Sequence, residues 1–123
     1  MSYLQKIEDM YRLIGENKAM EALDTYYHDD VVVVDGLEAP RHGKEAQREA
    51  LGMWFSTIKE MHGGGVGAIT ANEAQATTSV ESWTEITTND GARFKMEEVG
   101  VQQWQGDKII HERFYYSMPG SGQ

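Results

Sequence analysis

The spacing of apolar residues changes once along this chain, near Met61, and that change constrains the fold more than any other feature. Before it, apart from one short β-branched run, apolar residues recur at three- and four-residue steps, the period of an amphipathic helix. Beyond it lie long Thr- and Val-rich segments divided by turn signals, with no helical period. Leu4, Ile7, Met10, Tyr11 and Ile14 make the first helical stripe, with Ser2 placed to cap it and Gly15 to stop it. Ala19, Met20, Ala22, Leu23, Tyr26 and Tyr27 make the second, which is predicted to end near His28-Asp29-Asp30. Val31 to Val34 reads as a short strand closed by Asp35-Gly36, and Gly43 opens a third helix through Ala46, Leu51, Trp54, Phe55 and Ile58. Strands are predicted at about Val66 to Glu73, Gln75 to Thr88, Ala92 to Gln105 and Lys108 to Met118. Asn89-Asp90-Gly91 and Gln105-Gly106-Asp107 supply hairpin turns, while Gly63-Gly64-Gly65 reads as a loop or a flexible strand entry. Helices first and an antiparallel meander afterwards is an α+β pattern, in which one curved sheet packs its inner face on the helices. A length of 123 residues suits one domain over residues 1–118 with a short tail over 119–123.

Strand alternation then sorts side chains by face. On the last strand Ile110, Glu112, Phe114 and Tyr116 share the more apolar parity, and His111 the other. On the strand before it, Phe94, Met96, Glu98, Gly100, Gln102 and Trp104 share one face. The next inner row, Thr78, Val80, Ser82, Thr84 and Ile86, is small and mildly polar, so that side chains of unequal size leave volume for a ligand between sheet and helices. A carboxylate on an inner face costs several kcal/mol unless paired or protonated. Glu98 and Glu112 therefore read either as acid/base groups or as partners of Arg41, Arg93 or Lys44, unless a bulge turns them to water. Asp35, at the end of an apolar strand and before a glycine, is either a catalytic carboxylate at the strand's mouth or half of a common turn pair.

Other chemistries are set aside by composition. The absence of cysteine excludes thiolate zinc sites, disulfides, iron–sulfur clusters and cysteine nucleophiles. The histidines, His28, His42, His62 and His111, include no pair at the helical spacing of a zinc motif, and no metal site is expected. A formal net charge of −9 argues against nucleic-acid and anionic membrane partners. Met1 to Met10 carries Lys6, Glu8 and Asp9 and lacks an apolar stretch, and no long apolar run occurs elsewhere, so a cytoplasmic protein is expected.

Three strings join these elements: Ala22-Leu23-Asp24-Thr25-Tyr26-Tyr27-His28-Asp29-Asp30 entering Val31 to Asp35, Ala39-Pro40-Arg41-His42-Gly43 opening the third helix, and Asp107-Lys108-Ile109-Ile110 leading to Phe114-Tyr115-Tyr116. Together with the element order they resemble the nuclear transport factor 2-like superfamily, in the branch that holds SnoaL-like polyketide cyclases and ketosteroid isomerases. The resemblance runs from about Leu4 to Ser117. It implies a cone-shaped, cystatin-like fold, three N-terminal helices on a curved antiparallel or mixed sheet. It also implies that the isomerase's general base falls on Asp35 and its oxyanion tyrosine on Tyr11. The isomerase's second donor, a protonated aspartate, falls near Gly100, which departs from the pattern and leaves Tyr11 helped by Gln102 or a protonated Glu98. Losing one such donor typically lowers rates about 10²–10³-fold. A SnoaL-like cyclase works with one acid/base carboxylate and a pocket, without metal or cofactor.

The expected chemistry is proton abstraction next to a carbonyl of a small hydrophobic molecule by Asp35, with Tyr11 donating to the oxyanion. Trp54, Phe55, Phe94, Phe114 and Tyr116 would form the apolar wall, with Glu98, Gln102 and Glu112 as polar ligand contacts. The alternative is a non-catalytic ligand-binding or accessory domain. On the outer sheet face Trp83 sits with Glu81 and Glu85, and Val99 and Val101 beside Gln103 and Lys95, an exposed mixed patch suited to an interface. The resemblance implies a homodimer through this face.

Overall fold

Ser2 and Gln5 start the first helix by a reciprocal capping box, the Gln5 amide donating to Ser2 Oγ at 3.0 Å and the Ser2 amide to Gln5 Oε1 at 2.8 Å. The computed structural model describes residues 1–117; Met118 and the predicted tail over 119–123 lie outside the described residues. Helix α1 spans Tyr3–Gly15, α2 Ala19–Tyr26 and α3 Lys44–Ser56. The strands are β1 Tyr27–Asp35, β2 Arg41–His42, β3 Ile58–Asn72, β4 Thr77–Thr88, β5 Arg93–Gln105 and β6 Lys108–Ser117. They form one curved sheet in the order β2-β1-β6-β5-β4-β3. Every neighbouring pair is antiparallel except β1 with β6, which makes the sheet mixed. Among the described residues no helix is long and apolar enough to cross a membrane.

The second helix stops at Tyr26, two residues before the expected end, because Tyr27 already has extended backbone angles and pairs with Ile109. A register shift between Tyr27 and Val32 leaves Asp29 and Asp30 exposed on an irregular stretch of strand. Strand β3 begins at Ile58 rather than Val66, and its first half absorbs Gly63, Gly64 and Gly65 into pairing with β4. Side-chain spacing could not reveal this, since glycines carry no hydrophobic period. On β6 a second shift pairs Trp104 with Ile109 but Gln103 with His111, so Ile109, not Ile110, is the buried residue at that end.

Beyond that shift the alternation holds, and it stacks the inner face into rows. Val33, Glu112, Gln102 and Thr78 are cross-strand neighbours in one row. The next row is Asp35, Phe114, Gly100 and Val80, and the one after it Tyr116, Glu98, Ser82 and Val66. The core lies at the first-row end. Ile7, Met10 and Leu13 of α1 and Ala22, Leu23 and Tyr26 of α2 pack there on Val31, Val33, Trp104 and Ile109. Helix α3 behaves differently, because Gln47 is its only buried residue although it carries Leu51, Met53, Trp54 and Phe55. Its apolar side faces a space rather than a filled core.

Candidate active site

That space is a partly open cavity of about 500 Å³ bounded by α1, α2, α3 and residues of β1, β3, β4, β5 and β6. Trp54 and Phe55, in edge-to-face contact with centroids 5.2 Å apart, form its helical wall with Leu51. Phe114 and the backbone of Gly63 to Gly65 form the sheet side, where Trp83 also reaches the wall. The indole lies so close to the glycine strand that a Cβ on Gly65 would stand 2.8 Å from Trp83 Nε1, and this position accepts no side chain without displacement. The polar groups of the wall are Tyr11, Tyr27, Asn17, Gln47, His62, Ser82, Thr84 and Glu98.

Of the residues singled out from the sequence, Tyr11, Trp54, Phe55, Glu98 and Phe114 line this cavity. Phe94, Asp35, Gln102, Glu112 and Tyr116 are not among its lining residues. Phe94 pairs with Ile86 toward the far end of β5. Tyr116 covers the turn after β1: Gly36 has φ of +60°, and a Cβ there would stand 2.7 Å from Tyr116 Cε1, so both the backbone angle and the contact call for glycine. Asp35 shares the inner face with Glu112 and Phe114, but its side chain is 36% exposed and its Oδ2 lies 3.5 Å from Nη2 of Arg41. Arg93 pairs with Glu85 and Lys44 with Asp29. None of the three cations considered for Glu98 or Glu112 is therefore paired with either.

The two inner glutamates have different surroundings. Glu98 borders the cavity on one side and, on the other, an open cleft lined by Trp83, Val99, Tyr115 and Tyr116. Burial raises its proton affinity first and the charge of Asp35 second, while a hydrogen bond with Ser82 opposes them; its pKa is pushed up to about 7. Glu112 is wholly buried. Its Oε1 accepts the Tyr27 hydroxyl and its Oε2 accepts Nε2 of Gln102 at 2.9 Å. Burial again dominates, with the charges of Glu98 and Asp35 adding and the two hydrogen bonds opposing, and its pKa also rises to about 7. Behind it Thr78 Oγ1 donates to Gln102 Oε1 at 2.8 Å, and Trp104 Nε1 donates to Thr78 Oγ1 at 3.0 Å. Tyr11 is held well above the ordinary phenol value by burial and then by the glutamate charges, so it is a neutral hydrogen-bond donor.

Sequence reasoning missed Tyr27, which read as one more apolar residue of a helical stripe, and His62, which followed the helical period. His62 Nε2 lies 2.7 Å from Thr87 Oγ1, and its side chain is 17% exposed at the cavity wall. Nothing in the local pattern marked either residue; only the strand pairing brings them to the cavity. Among the described residues no three His, Asp or Glu side chains are grouped to hold a metal ion.

The family profile described as a SnoaL-like domain matches residues 1–116. The chain belongs to the SnoaL-like family. A Mesorhizobium loti protein described as a candidate SnoaL-like polyketide cyclase [carbohydrate phosphatase] is 29% identical, with a TM-score of 0.84 over 94% of this chain and 100% of that one. A nuclear transport factor 2-like protein from Burkholderia thailandensis is 12% identical, with a TM-score of 0.81 over 95% of this chain and 92% of that one. SalBIII, described as an epoxide hydrolase/cyclase-like enzyme with a role in pyran ring formation in the polyether salinomycin, is 19% identical. Its TM-score is 0.77, covering 95% of this chain and 92% of that one. The last two likenesses concern fold, which is nuclear transport factor 2-like. No functionally curated protein matches the sequence.

Proposed function

We propose that this SnoaL-like protein binds a small hydrophobic carbonyl compound in the cavity and moves a proton on the carbon next to the carbonyl, using its own side chains as acid and base. The observation that supports this most is that Glu98 and Tyr11 line one apolar cavity. Glu98 takes the proton as the C–H bond breaks, the electron pair moves to the carbonyl oxygen, and the Tyr11 hydroxyl donates to that oxyanion. Glu98 then returns the proton at the same or a conjugated carbon, so that no other reactant is consumed. A carboxyl titrating at about 7 suits both halves of this cycle near neutrality. Asp35, the base implied by the resemblance, enters here as the neighbouring charge that raises the proton affinity of Glu98. Trp54, Phe55 and Phe114 hold the substrate by apolar contact.

The test is exchange of α-protons for deuterium in a panel of small cyclic ketones, followed by proton NMR with the protein in deuterated buffer. Glu98→Gln should abolish the catalysed exchange and Tyr11→Phe should slow it by about 10²–10³. Unchanged exchange in Glu98→Gln overturns the assignment, and loss only in Asp35→Asn transfers the base role to that residue.

The outer sheet face is read as a homodimer surface. Its support is a patch in which Lys95 Nζ lies 4.8 Å from the Trp83 ring and Arg113 5.0 Å from the Tyr115 ring, with Tyr115 53% exposed. Sedimentation at micromolar concentration should give twice the chain mass, and a monomer would remove this reading.

A further inference from the structure

We propose that Tyr27 is a second hydrogen-bond donor to the ligand oxygen in the cavity, and that the protonated carboxyl of Glu112 is what frees its hydroxyl to act. This rests on the proposed function, since it adds a donor to the same cavity. The buried chain of hydrogen bonds behind Tyr27 runs in one direction. The indole of Trp104 can only donate, so Thr78 Oγ1 accepts from it at 3.0 Å and turns its own proton to Gln102 Oε1 at 2.8 Å. With its oxygen so engaged, Gln102 presents Nε2 to Glu112, at 2.9 Å from Oε2. That oxygen must therefore accept. When Glu112 carries a proton, the proton sits on Oε1, the oxygen that meets Tyr27.

Tyr27 lines the cavity, as does Tyr11. If Glu112 is ionised, the Tyr27 proton is committed to Oε1 and its hydroxyl offers nothing to a ligand. If Glu112 is protonated, Oε1–H donates to Tyr27 Oη, and the Tyr27 proton is free to point into the cavity. Trp104, Thr78, Gln102 and Glu112 are then positioning residues, and within this chain of hydrogen bonds only Tyr27 touches the ligand. The groups that bear on Glu112 are Tyr27 and Asp35 from β1, Gln102 and Glu98 from β5, and Tyr11 from α1. None is a cation. Complete burial with no opposing positive charge favours the protonated form, in keeping with a titration near 7.

The test is binding rather than turnover, so that it stands even if Glu98 moves no proton. The probe is 3,4-dinitrophenolate, an oxyanion that remains ionised while Glu112 titrates, and its affinity is followed by absorbance from slightly acid to slightly alkaline pH. The background is Glu98→Gln, which removes the carboxyl that lines the cavity and titrates in the same range. Affinity should fall as pH rises through the titration of Glu112, which lies below the value of about 7 in the parent because the Glu98 charge that helps to raise it is gone. Tyr27→Phe should lower affinity about tenfold on the acid side and little on the alkaline side, where the hydroxyl is already committed. Glu112→Gln, whose amide can accept from Gln102 and donate to Tyr27, should hold the acid-side affinity at every pH. A Tyr27→Phe loss that is equal on both sides, or absent, overturns the proposal. So does a Glu112→Gln variant that keeps the pH dependence of its parent.

Discussion

The space between sheet and helices has a filled end and a hollow end, and the same three strands, β4, β5 and β6, run through both. At the filled end Tyr3 and Tyr26 close on Trp104 with centroids 5.5 and 6.0 Å away, and Ile109 is wholly buried. At the hollow end Trp54 and Phe55 pair with each other, and the opposing β3 brings three glycines. Both ends are rich in aromatic rings. The difference lies in what stands opposite them: interlocking side chains on one side, bare backbone on the other. Aromatic content alone says nothing about whether a volume is filled.

The sharpest way to break this comparison is to remove one large side chain from each end. Trp104→Ala should lower stability by about 3–5 kcal/mol, since it opens a packed site and strips Thr78 of its donor, whereas Trp54→Ala should cost less than about 2 kcal/mol. Urea unfolding of both variants decides it, and equal losses would mean that the two ends are packed alike. Next in size is the pH dependence of stability. Glu98 and Glu112 bind protons more tightly folded than unfolded, so the folded protein holds more protons between the ordinary value of 4.5 and about 7. Stability should therefore fall as pH rises through that window and level off above it, with a slope of at most roughly 1.4 kcal/mol per pH for each carboxyl. Glu112→Gln should remove the part of the slope that belongs to the buried end; an unchanged slope would assign it elsewhere.

A smaller effect is expected from Asp35→Asn. Without that charge Glu98 should titrate lower, as read from the pH profile of deuterium exchange or from carboxyl NMR. The smallest concerns the anchoring of α1. Both carboxylate oxygens of Glu73 accept amides at its start, from Tyr3 at 2.8 Å and Leu4 at 3.0 Å. Glu73→Gln should cost about 0.3–1 kcal/mol in thermal unfolding, because a charge facing a helix N-terminus is lost.

The architecture was legible because its signals are local. A capping box, two hairpin turns and a change from helical to alternating period need only neighbouring residues to be read. The inner parity of Glu98, Gln102 and Glu112 was legible for the same reason. What that parity does with them was not. Glu112 meets Tyr27, 85 positions away in sequence, and only the parallel pairing of β1 with β6 makes them neighbours. Gln102 and Glu112, read as ligand contacts, lie outside the cavity lining and hydrogen-bond each other. The start of β3 was hidden because Ile58 continues the spacing of α3 while glycines follow it. Asp35 was singled out by position, but its pairing with Arg41 depends on the two-residue β2, too short to carry a period.

Glu98 stands in a partition, with the cavity before it and the shallower cleft behind. The cleft lies on the face read as the homodimer surface. Two copies pairing there would close Glu98 off on that side and leave it to exchange protons through the cavity alone, so assembly and proton traffic would be linked.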